Sequence, residues 1–466
     1  MVLSRIWSAF IIIAIAVASI KYFSSENYSQ IFNDMVVGKG GDTIQISQKP
    51  LAQISPEIQK SLLTNPDFED SHIHYKMDSL QNVKTYRVAE TDGVIGTSET
   101  AVNICLKLIG IMALFMGFMS IAEKAGGINF LSRLIQPFFS KLFPEIPKNH
   151  PSFGHMMLNF SANLLGLDNA ATPFGLKAME SLQTLNPNKD TASNSQIMFL
   201  CLHAGGMTLI PVSIIAIRAS MGSKTPTDIF LPCMIATFAA TLAAMIVVSL
   251  YQKINLLKPV VLGYVGGISA IIALLVLYLT QLSKDELDDF SKVLSNGLIL
   301  FIFLAIVLGA VYKKINVFDA FIEGAKEGFT TCVKIIPYLV GMLIAISLLR
   351  TSGVFDVIID GMKWVAYSAN LDSRFVDGLP TALIKPLSGS GARGMMVDTM
   401  TTFGADSFQG KLAAVLQGSS DTTFYVIAVY FGAVAVKNTR YTVIAMLLAD
   451  LVGIITSIIL AYLFFA

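Results

Sequence analysis

Gly378-Leu-Pro-Thr-Ala-Leu-Ile-Lys385-Pro-Leu-Ser-Gly-Ser-Gly-Ala-Arg393-Gly394-Met-Met-Val-Asp398-Thr-Met-Thr-Thr-Phe-Gly-Ala405 is an apolar stretch broken in the middle by proline, glycine and serine. A second such stretch, 154–184, breaks at Gly166-Leu-Asp168-Asn169-Ala-Ala-Thr172-Pro173. The rest of the chain gathers its apolar residues into blocks of bilayer-spanning length, at 101–121, 197–217, 229–251, 259–281, 293–312, 331–349, 411–433 and 441–465. Hydrophobic residues make up 54% of the chain and charged residues only 14%, against roughly 25% charged in a soluble domain. In hydrocarbon every peptide group needs a partner, so irregular backbone survives only where protein buries it or where it lines a wet cavity. The two interrupted stretches therefore read as re-entrant helical hairpins. The fold expected is an all-α integral membrane protein with two inverted repeats, re-entrant hairpins and broken transmembrane helices.

A net charge of +1 gives no reason to expect nucleic acid. Cys105, Cys201, Cys233 and Cys332 all fall inside apolar blocks at no metal-ligand spacing and read as small buried hydrophobes. Ile6 to Ile20, between Arg5 and Lys21, reads by preference as an uncleaved anchor, a transmembrane segment over residues 1–21, with a signal peptide cleaved near Ala16-Val17-Ala18 as the alternative. Residues 22–100 form a polar insert with six Lys/Arg against eleven Asp/Glu, and short helices are expected at 55–64 and 75–82. His72 and His74 follow Glu69 and Asp70 there, and a solvated acidic loop is the expectation over a metal site.

The chain repeats itself. Lys107 corresponds to Lys334 and Gly126 to Gly353, each pair 227 residues apart. Asn169-Ala-Ala-Thr-Pro-Phe-Gly matches Ser388-Gly-Ser-Gly-Ala-Arg-Gly, and Cys201-Leu-His-Ala-Gly-Gly-Met-Thr matches Val415-Leu-Gln-Gly-Ser-Ser-Asp-Thr. Repeat one covers 101–256, linking helices 257–315 and repeat two 316–466. If the hairpins do not cross, five crossings separate the repeat starts, and the second copy is inverted, as in many secondary transporters. Basic residues favour the cytoplasmic side. Lys253, Lys258, Lys313, Lys314, Lys437 and Arg440 then fall inside with the N-terminus, and 22–100 outside.

Broken helices direct exposed peptide groups and helix dipoles at a binding site. The expected substrate-binding residues are Asn163, Asn169, Thr172, His203, Thr208, Ser388, Ser390, Gly391, Arg393, Gln417, Ser419 and Thr422. The N–H groups that open the helix near Ala392, with Arg393, would favour an anion. Asp398 and Asp421 are the expected ion-coupling residues, because an ionisable group in a span is costly. The plainer alternatives are close helix packing for the small residues and an ion pair of Arg393 with Asp398 or Asp421. The chain contains no P-loop, zinc-protease or Ser-His-Asp pattern, so an enzyme is not expected. No cofactor is expected beyond a coupling proton or sodium ion. The partners expected are a small-molecule solute and the lipid bilayer, with a homo-oligomer left open.

Asn163-Leu-Leu-Gly-Leu-Asp-Asn-Ala-Ala-Thr-Pro-Phe-Gly-Leu-Lys-Ala-Met-Glu180, Thr208-Leu-Ile-Pro and Ile215-Ala-Ile-Arg218 resemble spore maturation protein A. Lys385-Pro-Leu-Ser-Gly-Ser-Gly-Ala-Arg-Gly394 and Gln417-Gly-Ser-Ser-Asp-Thr-Thr-Phe-Tyr425 resemble spore maturation protein B. The chain thus looks like a fusion of the two, in the group that carries the nucleoside-recognition or Gate domain. That domain is also similar to parts of concentrative nucleoside transporters and of the ferrous-iron transporter B. The resemblance implies a bacterial inner-membrane transporter, and with the broken helices and Arg393 the function expected is a secondary transporter of a small polar solute, an anion being one option; the alternative is a non-transporting spore-maturation or envelope-assembly factor.

Overall fold

The computed structural model describes residues 2–24, 28–51, 56–70, 73–78, 82–147, 150–166, 168–279, 281–282, 284–369 and 371–466. It begins with α1 (Val2–Ser24) and the short α2 (Ile31–Val36), followed by β1 (Gly38–Pro50), α3 (Pro56–Thr64), β2 (Asp67–Asp70), β3 (Ile73–Met77) and β4 (Asn82–Asp92). The strands form one antiparallel sheet in the order β1-β4-β3-β2, with Tyr75 and Val83 packed on Leu62 of α3. The helix expected at 75–82 is instead the end of β3 and the start of β4. Ile73, Tyr75 and Met77 alternate with His74 and Lys76, and that period of two belongs to a strand. His72 lies outside the described residues, as do the side chains of Glu69, Asp70 and His74.

The membrane portion follows as α4 (Val94–Lys124), α5 (Gly127–Leu142), α6 (Pro151–Leu164), α7 (Asp168–Leu185), α8 (Asn194–Ala204), α9 (Val212–Ser220) and α10 (Phe230–Gln252). Two linking helices come next, α11 (Pro259–Leu279) and α12 (Lys284–Tyr312). A second set then runs α13 (Val317–Thr351), α14 (Val354–Ser368), a 3-10 turn (Ser373–Gly378) leading into α15 (Leu379–Ile384), α16 (Gly389–Phe403), α17 (Phe408–Gly418), α18 (Thr423–Ala433) and α19 (Thr442–Phe465). Among the described residues, seven helices are long and apolar enough to cross a membrane: α1, α4, α10, α11, α12, α13 and α19. Large apolar side chains such as Leu274, Leu300 and Ile455 stand exposed on them, as lipid-facing residues do. The protein is a multi-pass membrane protein.

Two expected crossings are pairs of half-helices. The 411–433 block breaks after Gly418, as its Gly-Ser-Ser-Asp run foretells. The 197–217 block, expected to be continuous, is also broken, between Ala204 and Val212. Gly206 turns there at φ +63°, and Pro211 precedes the next helix. Residues 122–150 and 350–377, which fall between the apolar blocks and hairpins, contain α5 and α14, which turn off α4 and α13 at Gly126 (φ +81°) and Gly353 (φ +77°). On α5, Ile128, Ser132, Phe139 and Leu142 are buried while Phe130 and Leu134 are exposed, a helical stripe that a search for continuous apolar blocks passes over.

Glycines bring α4 and α13 together. A Cβ at Gly324 would lie 2.2 Å from the Met116 carbonyl oxygen, and one at Gly328 would lie 2.7 Å from that of Met112. Numbers rise on one helix as they fall on the other, so the pair is antiparallel. One large core gathers side chains of α4, α9, α13, α16 and α17; a second gathers α5 to α8, α18 and α19.

Candidate functional site

Four interruptions of the helical chain converge. The hairpin α6–α7 turns after Leu164, and the hairpin α15–α16 turns between Ile384 and Gly389. The two half-helix pairs break at 205–211 and 419–422. Each hairpin tip is hydrogen-bonded to one break: Leu209 N donates to Leu164 O at 2.8 Å, and Phe424 N to Pro386 O at 2.9 Å. The breaks also meet each other, since Asp421 N donates to Ala204 O at 2.8 Å. Backbone groups that leave a helix are thus satisfied by other broken backbone, as an apolar surround requires.

The crossing is close. A side chain at Gly206 would come within 3.1 Å of Asp421 N, and one at Gly418 within 2.8 Å of Cys233 Sγ. At this junction lies a cavity of about 280 Å³. Its wall includes Asn163, Gly166 and Thr172 from the first hairpin, and Lys385, Gly389 and Arg393 from the second. The breaks add His203, Gly206, Thr208, Gln417, Gly418, Ser420, Asp421 and Thr422, and α18 adds Tyr425 and Tyr430.

The polar groups of this wall are held in place. His203 is 4% exposed. Its Nδ1 lies 2.8 Å from Asn163 Nδ2 and 3.1 Å from Asn159 Oδ1, two carboxamides one turn apart on α6. Its Nε2 faces Asp421 Oδ2 at 3.7 Å, and the Tyr430 ring stands edge-on to the imidazole with centroids 4.9 Å apart. Asp421 Oδ1 accepts from Thr422 N at 2.7 Å, just ahead of α18. The buried Lys385 ammonium donates to Gln417 O at 2.7 Å, closing the last turn of α17. Gln417 Nε2 reaches Gly389 O at 3.4 Å, while its Oε1 is buried with no hydrogen-bond partner. The N-terminus of α16 opens on the cavity at Gly389 and carries Arg393 in its second turn.

Of the fourteen expected site residues, Asn163, Thr172, His203, Thr208, Arg393, Gln417, Asp421 and Thr422 line this cavity. Ser388 sits beside it as the N-cap of α16, its Oγ accepting from Gly391 N at 2.9 Å. Gly391 packs against Ile384 and Met342, and Ser390 does not line the cavity. The Ser419 hydroxyl turns back to Leu416 O at 2.9 Å. Asn169 begins α7, and its side chain lies outside the described residues. Asp398 is placed away from the cavity, in an ion pair with Arg350 of α13. That carboxylate fastens α16 to α13.

Reading the sequence missed Lys385, Tyr425, Tyr430 and Asn159. Lys385 carried a usable signal, being an ionisable residue directly before Pro386 in an apolar hairpin. Tyr430 carried none. It comes close only because Gly175 leaves room, since a Cβ there would lie 2.4 Å from the tyrosine ring.

A third feature lies at one end of the bundle. Arg218, wholly buried near the end of α9, pairs with Asp228 at 2.9 Å and with Asp406 at 3.0 Å. Lys411 pairs with Asp228 at 2.8 Å. This joins the α9–α10 loop to the α16–α17 turn. At the opposite end the α18–α19 loop meets the α7–α8 turn through backbone bonds, from Lys437 N and Asn438 N to Asp190 O and from Ala192 N to Asn438 O. Each set of helices thus clasps the other's turn. Asp406 sits in a loop where burial alone would raise its carboxyl. The Ser223 hydroxyl, the Lys224 N–H, Arg218 and Lys411 outweigh that and hold it below the ordinary carboxylate range.

Comparison with known proteins gives the same two-part picture. The family described as Gate, nucleoside recognition, matches twice, at 105–221 and 332–437. Spore maturation protein A of Bacillus subtilis (strain 168) is 43% identical over 156 residues, which are 34% of this chain and 80% of that protein. Spore maturation protein B of the same organism is 45% identical over 172 residues, 37% of this chain and 95% of that protein. No solved structure matches. With two Gate matches in one chain, and long, strong likeness to both proteins, this chain belongs to the spore maturation A/B family of Gate-domain membrane proteins.

Proposed function

We propose that the protein is a secondary transporter of a small polar, anionic solute across the bacterial inner membrane. The observation that carries this reading is the cavity at the meeting of two hairpin tips and two broken helices. Its volume of about 280 Å³ suits a small metabolite rather than a macromolecule. Lys385 and Arg393 stand on the wall with one carboxylate, Asp421, so cations outnumber carboxylates among its side chains. The N-terminus of α16 adds the positive end of a helix dipole, and the Gln417 Oε1 acceptor would take a donor from the solute.

The arrangement of helices supports alternating access. The crossings α4, α8–α9, α10, α11 and α12 separate the start of α4 from that of α13, and the two leading helices are antiparallel. We read the two sets as an inverted pair whose hairpins and broken helices move against the rest. The charge of the loops supports an orientation with the N-terminus and the α18–α19 loop inside and residues 22–100 outside.

The test is an untargeted metabolite comparison of a deletion strain with its parent, followed by uptake of whichever pool differs. Arg393→Ala and Asp421→Asn should abolish flux at unchanged membrane abundance. A second reading rests on the folded insert with its four-stranded sheet and on the names of the relatives: a spore-maturation or envelope-assembly factor without transport. That reading gains if both variants complement a deletion fully and removal of the insert does not.

A further inference from the structure

We infer that His203 and Asp421 form one proton-binding unit, and that the proton it takes up couples the two sets of helices. The inference rests on the transporter reading for its role, but the proton site stands on geometry alone. His203 ends α8 in the first set, and Asp421 lies in the α17–α18 break of the second. The imidazole cannot turn, because Nδ1 is fixed between the carboxamides of Asn159 and Asn163, at 3.1 and 2.8 Å, and Tyr430 stands against the ring. The two ends of an amide exchange by a half-turn, so both carboxamides can present oxygen to an Nδ1–H. That leaves Nε2 as the nitrogen free to gain or lose a proton, and it is directed at Asp421 Oδ2, 3.7 Å away.

The pair also has a wet side and a dry side. The imidazole is nearly wholly buried, whereas 45% of the Asp421 side chain is exposed to the cavity. A proton entering from the cavity reaches Asp421 first and His203 second. On Nε2 it makes an imidazolium that draws the carboxylate in; off Nε2 it leaves a neutral ring and a carboxylate held by Thr422 N. Since Asp421 N also donates to Ala204 O, the residue after His203, any change at the pair is felt at the crossing of the breaks. The charged groups facing the pair are Lys385 and Arg393 on the same cavity wall and, behind it on α19, the buried Asp450, whose carboxylate accepts from Thr423 Oγ1 at 2.6 Å; from α6 come the neutral carboxamides, and from α18 the Tyr430 ring. An anion beside the two cations would lower the positive potential that opposes a proton on His203, so solute and proton would favour each other's binding.

The experiment uses full-length protein labelled with ¹⁵N-histidine in lipid nanodiscs, titrated with protons from pH 4 to 9, with His203→Gln identifying the resonance. At 3.7 Å the pair interaction is strong enough to read. Removal of the carboxylate in Asp421→Asn should weaken proton binding at His203 at least tenfold, a factor of order one pH unit. A second measurement follows maleimide labelling of Thr208→Cys in the cavity wall; the four native cysteines are buried and stay silent. Divided by the rate of a free thiol at the same pH, which removes the thiolate's own pH dependence, this rate should step at the His203 midpoint and lose that step in Asp421→Asn, whose isosteric amide keeps the fold. An imidazole that does not titrate in this range, or that titrates identically in Asp421→Asn, overturns the proton site. Titration without a step in this normalised labelling rate overturns the coupling. Failure to find a transported pool would defeat the transporter reading and leave both of these results standing.

Discussion

Arg218→Met tests whether the charged cluster at one end of the bundle holds the two sets of helices together. The guanidinium is fully buried and gives Nη1 to Ala405 O at 2.6 Å, Nη2 to Thr225 O at 3.2 Å and Nε to Pro226 O at 3.3 Å, besides its two carboxylates. Methionine keeps most of the volume and removes every one of these. Breaking a buried ion pair from one side costs about 3–5 kcal/mol, because the partner charge is stranded. Asp228 is 2% exposed but keeps Lys411 at 2.8 Å, which pulls the figure towards about 3 kcal/mol. Asp406 is a third exposed, and water takes over much of what it loses. The melting temperature of purified protein in matched micelles should therefore fall by roughly 3 °C. Protease cleavage within residues 221–229 should appear before global unfolding. Asp228→Asn should cost at least as much, because it leaves Arg218 and Lys411 sharing one half-exposed carboxylate, whereas Asp406→Asn should cost about 1 kcal/mol or less. An Arg218→Met protein that melts within a degree of wild type with an uncleaved loop would refute the argument.

Three further outcomes follow from local geometry. Gly206→Ala puts a Cβ into a left-handed turn (φ +63°) and within 3.1 Å of Asp421 N; a loss of about 1–2 kcal/mol in unfolding free energy and a marked loss of solute flux are expected. Asp398→Asn should lower membrane abundance or melting temperature, by stranding the partly buried Arg350, and should leave the pH response of Thr208→Cys labelling intact. A change in that response would return Asp398 to the coupling site. Asp406 has a folded-state pKa below its unfolded value, so its share of stability is present above about pH 4 and is lost as pH falls through the folded value. Melting curves below pH 4 should accordingly drop less steeply in Asp406→Asn than in wild type.

What the sequence made legible was the interruption of long apolar runs. Gly418-Ser-Ser-Asp421 and Pro386-Leu-Ser-Gly389 are so foreign to a membrane helix that a break could be placed there to within a few residues. Asp421, Arg393, His203 and Gln417 were found for the same reason, each being a polar group in an apolar run. What stayed hidden depends on contacts between distant segments. Asp398 satisfies the same local criterion as Asp421, and only the position of Arg350 on another helix tells a structural ion pair from a cavity group. Tyr430 resembles any aromatic of a span until Gly175 is seen to make room for it. The break at 205–211 was obscured because Ile210 and Val212–Ile217 keep the composition apolar across it. There Gly206 and Pro211 carry the information, and average hydropathy does not. The insert failed in a different way. At 75–82 the alternation of Ile73, Tyr75 and Met77 with His74 and Lys76 runs for only five residues, and helix-compatible residues mask it.

The two breaks depend on each other. An unwound segment in hydrocarbon leaves donors and acceptors that cost several kcal/mol each when unmet, so a single isolated break would be strongly disfavoured. Here the Ala204 carbonyl, left over at the end of α8, is taken by Asp421 N, and the Leu164 and Pro386 carbonyls at the hairpin tips are taken by Leu209 N and Phe424 N. Each interruption supplies what another lacks, so one set of helices alone would have no stable site. A chain carrying only the first set should therefore need the second, supplied separately, to yield a protected cavity. Coexpression of residues 1–315 and 316–466 as two polypeptides tests this. Recovery of a complex in which Thr208→Cys labels at the rate seen in the intact chain is the expected result. Independent folding of either piece, with wild-type melting behaviour, would mean that the crossing of the breaks is incidental.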